Sequence, residues 1–217
     1  MQKIMFNDRY GLTQAVIDGW KTVTRRTELD DDANYIVRPG NNIYHPQHCY
    51  YRDARGLCQL VNCKTDKVFI PRYKLGEIVA VAQSYRDAGY ECLPYRDTDE
   101  YVYLKRDGVV VSDISVAEAG VTNKMFATAK QMPHRIWITG IRIERLQDIS
   151  DEDCLKEGIW KAENVGFKGT TYWYPNLVNS AFRTPREAFA ALIDKVSGKG
   201  TWNRNPFVVV YEFEVIK

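Results

Sequence analysis

No window of this chain approaches the roughly 20 consecutive apolar residues that a membrane-spanning helix needs, so no membrane partner is expected. Residues 1–10 contain no apolar run of the length a secretory signal requires. The five cysteines are an odd number, which argues against a tidy disulfide framework. These absences lead to the expectation of a reducing, cytoplasmic setting. Charge of one sign is also scarce. The formal net charge is +2, too small to imply nucleic-acid binding by itself, so any polyanion must be met by a local patch. The sequence shows no internal repeat, no low-complexity tract and no obvious linker. No cofactor is expected.

What is present is the apolar content of an ordinary globular protein on 217 residues, enough for one large domain. Three helices are predicted. The first covers residues 11–18, where Leu12, Val16 and Trp20 recur every four residues beside Ala15, and Gly19 is the natural stop. The second starts at Ser150 as N-cap, has Asp151, Glu152 and Asp153 in its first turn, and ends at Gly158. The third starts at Thr184, with Pro185 at the first helical position and Glu187 completing a capping box. Phe189, Leu192, Ile193 and Val196 give its apolar face.

Residues 77–83 are apolar on both phases, which predicts a central, two-sided strand ending in the polar Gln83, Ser84, Tyr85 and Arg86. Residues 135–146 alternate but change phase. Ile136 and Ile138 fall on one face and Ile141 and Ile143 on the other, with Gly140 at the switch, where a bulge permits it. A strand that changes face midway suits the corner of a small barrel. Residues 207–216 are the last strand, and 57–62, 67–70 and 101–104 are weaker ones. Strands outnumber helices without alternating with them, which predicts an α+β fold with a barrel-like sheet.

The sequence Lys21-Thr22-Val23-Thr24-Arg25-Arg26 places a lysine, two hydroxyls and two arginines after the first helix. Such a cluster can hold an anion, activate a hydroxyl, or do both. It can equally be a solvated basic turn paired with Glu28, Asp30, Asp31 and Asp32. His45, His48, Cys49, Cys58 and Cys63 form a second group, holding two of the three histidines within nineteen residues. Zinc takes four such ligands. The spacing is not that of a standard finger, however, and adjacent His48 and Cys49 cannot both point inward from a strand. No metal is expected. Tyr172, Trp173 and Tyr174 follow a glycine-rich loop, and they can stack a base or plug the core. His134 is as well placed for the surface as for carrying a proton.

Four separated pieces resemble the ASCH-domain family, a branch of the PUA-like barrels. They are Asp18-Gly19-Trp20-Lys21-Thr22-Val23-Thr24-Arg25-Arg26; Leu75-Gly76-Glu77-Ile78-Val79-Ala80-Val81; the stretch from Met132-Pro133-His134-Arg135 through Ile149-Ser150 to Glu157-Gly158-Ile159; and Trp202-Asn203-Arg204-Asn205-Pro206-Phe207 leading into Val210-Tyr211-Glu212-Phe213. The resemblance implies a single domain over 1–217, a small mixed β-barrel flanked by about three helices, and two insertions at 36–73 and 89–130. It also implies a cleft that binds RNA, a nucleotide or a nucleoside, bordered by the Lys-Thr segment and the helix carrying Glu157.

A small branch of the family resembles amidohydrolases that deacetylate acetylcytidine with a lysine, a threonine and a glutamate. By match of motif these roles fall on Lys21, Thr24 and Glu157. A threonine hydroxyl needs a base, and a lysine serves as one only when burial or neighbouring cations lower its pKa. Arg25 and Arg26 supply such a field or hold the ligand, and Gln83, Ser84 and Tyr85 are expected at the cleft mouth. The expected function is nucleotide, nucleoside or RNA binding. Amidohydrolysis of an acylated nucleoside is the alternative, and a non-catalytic interaction module of phage or prophage type is the third class.

Overall fold

A computed structural model describes residues 1–29, 35–39, 51–53, 56–94, 102–114, 119–163, 169–175 and 181–216. In chain order the elements are β1 (Lys3–Ile4), α1 (Leu12–Ile17), β2 (Val23–Arg26), β3 (Tyr35–Pro39), β4 (Tyr51–Asp53), β5 (Gly56–Asn62), β6 (Ile78–Val81), β7 (Glu91–Pro94), β8 (Val102–Arg106), β9 (Val109–Ile114), α2 (Ala119–Thr122), β10 (Arg135–Arg145), α3 (Asp151–Lys156), β11 (Trp160–Glu163), β12 (Thr170–Trp173), α4 (Pro185–Val196), α5 (Thr201–Arg204) and β13 (Phe207–Ile216). The fold is α+β, as expected. Its centre is a five-stranded mixed sheet in the order β1-β6-β10-β13-β2. β1 runs parallel to β6, and every other neighbour pair is antiparallel. Among the described residues the sheet ends at β1 and β2 and does not close on itself.

The long pairing of β10 with β13 forms the spine of the sheet. The register shifts between Ile138 and Gly140, where the sequence phase switches. Ile136 and Ile138 are fully buried, and Ile143 is buried beyond the shift. The extra residue turns the strand so that both apolar sets meet the core. A side chain there would crowd Glu212. A Cβ on Gly140 would stand 2.5 Å from Glu212 Oε2 and 3.2 Å from Glu212 Cβ. β6 lies inside the sheet, and Val79, Ala80 and Val81 are buried, which explains its continuous apolar run.

All three predicted helices form. Ser150 accepts a hydrogen bond from the Asp153 amide, and Thr184 and Glu187 make the reciprocal capping box. Two details of their faces differ from expectation. Trp20 is 58 % exposed and does not extend the stripe of Leu12, Ala15 and Val16. α1 stops at Ile17, and Gly19 takes a left-handed φ of +79°, which redirects the chain. Val196, in the last turn of α4, is also exposed, while Phe189, Leu192 and Ile193 are buried.

The stretches 36–73 and 89–130 each carry a three-stranded antiparallel sheet of their own, β3-β5-β4 and β7-β8-β9. Residues 67–70 do not form the expected strand; Val68 makes a single bridge to Val61. β11 and β12 form a hairpin that sequence periodicity did not indicate. A second, smaller core beside the end of β6 is built from Ala80, Tyr85, Ala88, Tyr90, Leu104, Ala127 and Met132.

Candidate functional site

The Lys21–Arg26 segment is neither a turn nor solvated. It enters and forms β2, the end strand of the central sheet, paired with β13 from Val23↔Glu212 to Arg26↔Val209. Lys21, Thr24 and Arg25 are buried, Lys21 to 1 % exposure. The acidic pairing considered for this segment is not what the structure shows at Glu28. That carboxylate accepts instead from the Tyr211 hydroxyl at 2.8 Å and the Arg72 amide at 3.0 Å. Asp30, Asp31 and Asp32 lie outside the described residues.

A buried lysine must satisfy three N–H donors. Lys21 Nζ donates to the Val23 carbonyl at 2.7 Å, to the Glu157 carbonyl at 2.9 Å, and to Glu157 Oε2 in a buried ion pair. Burial lowers the Lys21 pKa, and the Glu157 carboxylate opposes that shift. Glu157 stands where α3 ends. Gly158, at φ +98°, turns the chain and lies close to Lys21, since a Cβ there would be 3.7 Å from Lys21 Cβ. The helix cap thus sets the glutamate against the lysine.

Arg25 is clamped. Its Nε and Nη2 donate to Glu144 Oε1 at 2.9 and 2.7 Å, Nη2 also to Asp153 Oδ2 at 2.8 Å, and Nη1 to Glu157 Oε1 at 3.2 Å. Burial works against its charge, but Glu157, Glu144 and Asp153 outweigh it and the pKa rises. Arg142 joins the same carboxylates, pairing with Glu144, Asp153 and Glu212. Arg25 therefore differs from the expected ligand holder, because all three of its nitrogens are engaged by the protein. The sequence did not single out Glu144, Asp153 or Arg142 as partners. Their charges lie on β10 and α3, far from Arg25 along the chain, and only the fold pairs them.

Arg26 is different. Nη2 donates to the Met5 carbonyl at 2.6 Å, and the guanidinium stands 5.2 Å from the Phe6 ring centroid. Its Nε is buried with no hydrogen-bond partner. Burial lowers its pKa, opposed by the nearby Tyr73, Glu157 and Glu28. The Thr24 hydroxyl makes no hydrogen bond among the described residues.

These side chains line one cleft of about 440 Å³. Lys21, Thr24, Arg25, Arg26 and Glu157 all border it, so the structure brings five expected residues together. Phe6 and Tyr73 add aromatic walls, and Phe189, Leu192 and Ile193 of α4 an apolar one. Arg72 and Tyr73 reach it from the end of the 36–73 stretch.

Gln83, Ser84 and Tyr85 do not border this cleft. Gln83 Nε2 donates to the Asp87 carbonyl at 3.2 Å, and the Ser84 hydroxyl donates to Asp87 Oδ2 at 2.6 Å. Tyr85 is fully buried in the second core, edge-on to Tyr90. Polar residues after a buried strand signal an exit, and here the exit is a buttressed turn rather than a cleft mouth. His134 also lies away from the cleft, its pKa lowered by burial and by Arg106. Tyr174 packs on Tyr10 and Phe182 as a core plug. His45, His48 and Cys49 lie outside the described residues, as does the Cys58 side chain, and Cys63 is an exposed free thiol. Among the described residues no group of His, Cys, Asp and Glu is arranged to hold a metal ion.

Comparison with protein-family models, with curated proteins and with solved structures finds no match to this chain.

Proposed function

We propose that this protein is an ASCH-type domain of the PUA-like kind, and that its cleft binds a nucleotide, a nucleoside or an RNA end. The observation that carries this reading is a pair of unpartnered polar groups on two residues that border the cleft. The buried Arg26 Nε has no partner, and the Thr24 hydroxyl beside it on β2 makes no hydrogen bond among the described residues. Buried polar atoms are rarely left unpaired unless a ligand or water completes them. Phe6 and Tyr73 border the cleft, whose volume of about 440 Å³ is within the size range of small-molecule sites. The bend of β10 at Gly140 and the mixed central sheet support the PUA-like assignment. In this reading Arg26 and Thr24 contact the ligand, while Lys21, Arg25 and Glu157 hold the wall in shape.

The test is titration of the four ribonucleosides, their 5′-monophosphates and short RNAs, read by thermal shift and calorimetry. Specific binding raises the melting temperature with ligand concentration. Arg26→Gln and Thr24→Val weaken it, and Lys21→Ala reduces it by loosening the wall. Absence of any stabilisation in the wild type overturns the reading.

A second reading, amidohydrolysis of an acylated nucleoside such as N4-acetylcytidine, is favoured by Lys21 and Glu157 bordering the same cleft as Thr24. As the pair stands, all three Lys21 protons are held by the protein. Lys21 takes the Thr24 proton only after passing one of its own to Glu157. The Thr24 oxygen then attacks the acyl carbonyl, and the departing amine receives a proton from the pair. Water finally releases the acyl group from Thr24. Acetate release that disappears in Thr24→Ala supports this reading, and no turnover at high protein concentration refutes it.

A further inference from the structure

The charges around the cleft are unevenly satisfied. Of the charged residues bordering it, Lys21, Arg25, Arg26 and Arg72 are basic and Glu28 and Glu157 acidic. Lys21 is paired with Glu157, and Arg25 with Glu144, Asp153 and Glu157. Arg26 and Arg72 have no ion pair among the described residues. Each packs on an aromatic ring instead: Arg26 lies 5.2 Å from the Phe6 centroid and Arg72 lies 5.7 Å from the Tyr73 centroid. Both arginines border the same cleft, together with Phe6 and Tyr73.

Glu28 borders the same cleft. Its Oε2 is fixed by the Tyr211 hydroxyl and the Arg72 amide, and it forms no ion pair with either arginine among the described residues. Glu28 favours the charged form of Arg26 without forming an ion pair with it among the described residues. A guanidinium presents planar N–H donors matched to phosphate oxygens, and an Nε donor already stripped of water gains more from a charged acceptor than from a neutral one.

We propose that the cleft is specific for a nucleoside monophosphate, with the phosphate held by Arg26 and Arg72 and the nucleoside in the rest of the cleft. This rests on the nucleotide- or nucleoside-binding reading and sharpens it. A single-stranded RNA groove tracks the backbone with cations spaced along it. Here the two unpaired cations border one cleft of about 440 Å³, which suits one phosphate.

The experiment is calorimetric titration of the wild type with each of the four ribonucleosides, its 5′-monophosphate, and inorganic phosphate, at low and at moderate salt. The expected result is at least a tenfold tighter dissociation constant for one monophosphate than for its nucleoside. That advantage shrinks with salt, since screening acts on the phosphate contact. Arg72→Gln, an exposed substitution, lowers the monophosphate affinity far more than the nucleoside affinity and so removes most of the advantage. Arg26→Lys keeps a charge but loses the planar fork, so it lowers monophosphate affinity, and a matching circular-dichroism spectrum confirms that it folds.

Equal affinity for nucleoside and monophosphate overturns the phosphate site while leaving nucleoside binding standing. Inorganic phosphate binding as tightly as the monophosphate overturns it too, in favour of a plain anion site. If no nucleoside or monophosphate binds, the underlying reading fails first and the phosphate assignment falls with it.

Discussion

Lys21 and Glu157, 136 positions apart, form a buried ion pair, and the same lysine also donates to the Glu157 backbone carbonyl. The lysine thus holds both the side chain and the main chain of the residue that ends α3. This double hold joins β2 to α3 and closes one wall of the cleft.

Removing one member of the pair is expected to be costly. Lys21→Met leaves Glu157 with Arg25 alone and two carbonyls unsatisfied, and breaking a buried pair costs ~3–5 kcal/mol. The double variant Lys21→Met/Glu157→Gln recovers part of that loss, because no charge is left unmatched on the lysine's side. Urea unfolding of the four proteins in the cycle measures the coupling.

Gly140→Ala is expected to destabilise by ~1–3 kcal/mol through overpacking. The new methyl would push Glu212 away from Arg142 at the bulge. Glu212→Ala in the same chain removes the carboxylate and recovers part of the loss. Denaturant midpoints of the single and double variants decide this.

The alkaline limb of the stability profile is expected to show Cys154. Burial pushes its thiol from 9.0 up to about 12. Its folded pKa is raised, so its contribution is complete below pH 9 and is lost as pH rises from 9 toward 12. In that window the unfolded chain releases the proton and the folded chain keeps it. The slope from one such group is about 1.4 kcal/mol per pH unit. Tyr73 and Tyr211, also raised by burial, steepen the fall above pH 10. Cys154→Ala flattens the portion that starts near 9, which unfolding curves at fixed pH steps reveal.

Thr184→Ala removes the cap of α4, whose side chain accepts from the Glu187 amide at 3.1 Å. The expected loss is about 1 kcal/mol. Phe189, Leu192 and Ile193 of this helix line the cleft, so ligand affinity falls modestly as well. Parallel melting and titration experiments separate the two effects. If affinity is untouched, α4 contributes shape that does not depend on its first turn.

The helices were legible because their ends are written locally. Ser150, and Thr184 with Pro185 and Glu187, each signal a start within four residues, and the structure uses them in that way. The phase change at Gly140 was equally legible, since a period of two admits no other explanation for Ile136, Ile138, Ile141 and Ile143. The strand expected at 67–70 failed because a short apolar run does not say whether a partner strand lies beside it. Trp20 followed a helical spacing, but a spacing does not state where the helix stops. Gln83, Ser84 and Tyr85 were polar at a strand end, and sequence does not reveal what lies beyond that end.

By itself the sequence determined the α+β class, the caps, the central strands and the unusual density of base and hydroxyl at 21–26. These depend on neighbours a few residues apart. The tertiary structure decided which of those groups are spent and which are free. Arg25 and Arg26 are adjacent and chemically identical, yet one is clamped by Glu144, Asp153 and Glu157 while the other keeps a buried Nε without a partner. The reason is physical. Adjacent residues on a strand point to opposite faces, so Arg25 bonds directly to Glu144, Asp153 and Glu157 while Arg26 does not, and only the folded chain brings those carboxylates within reach.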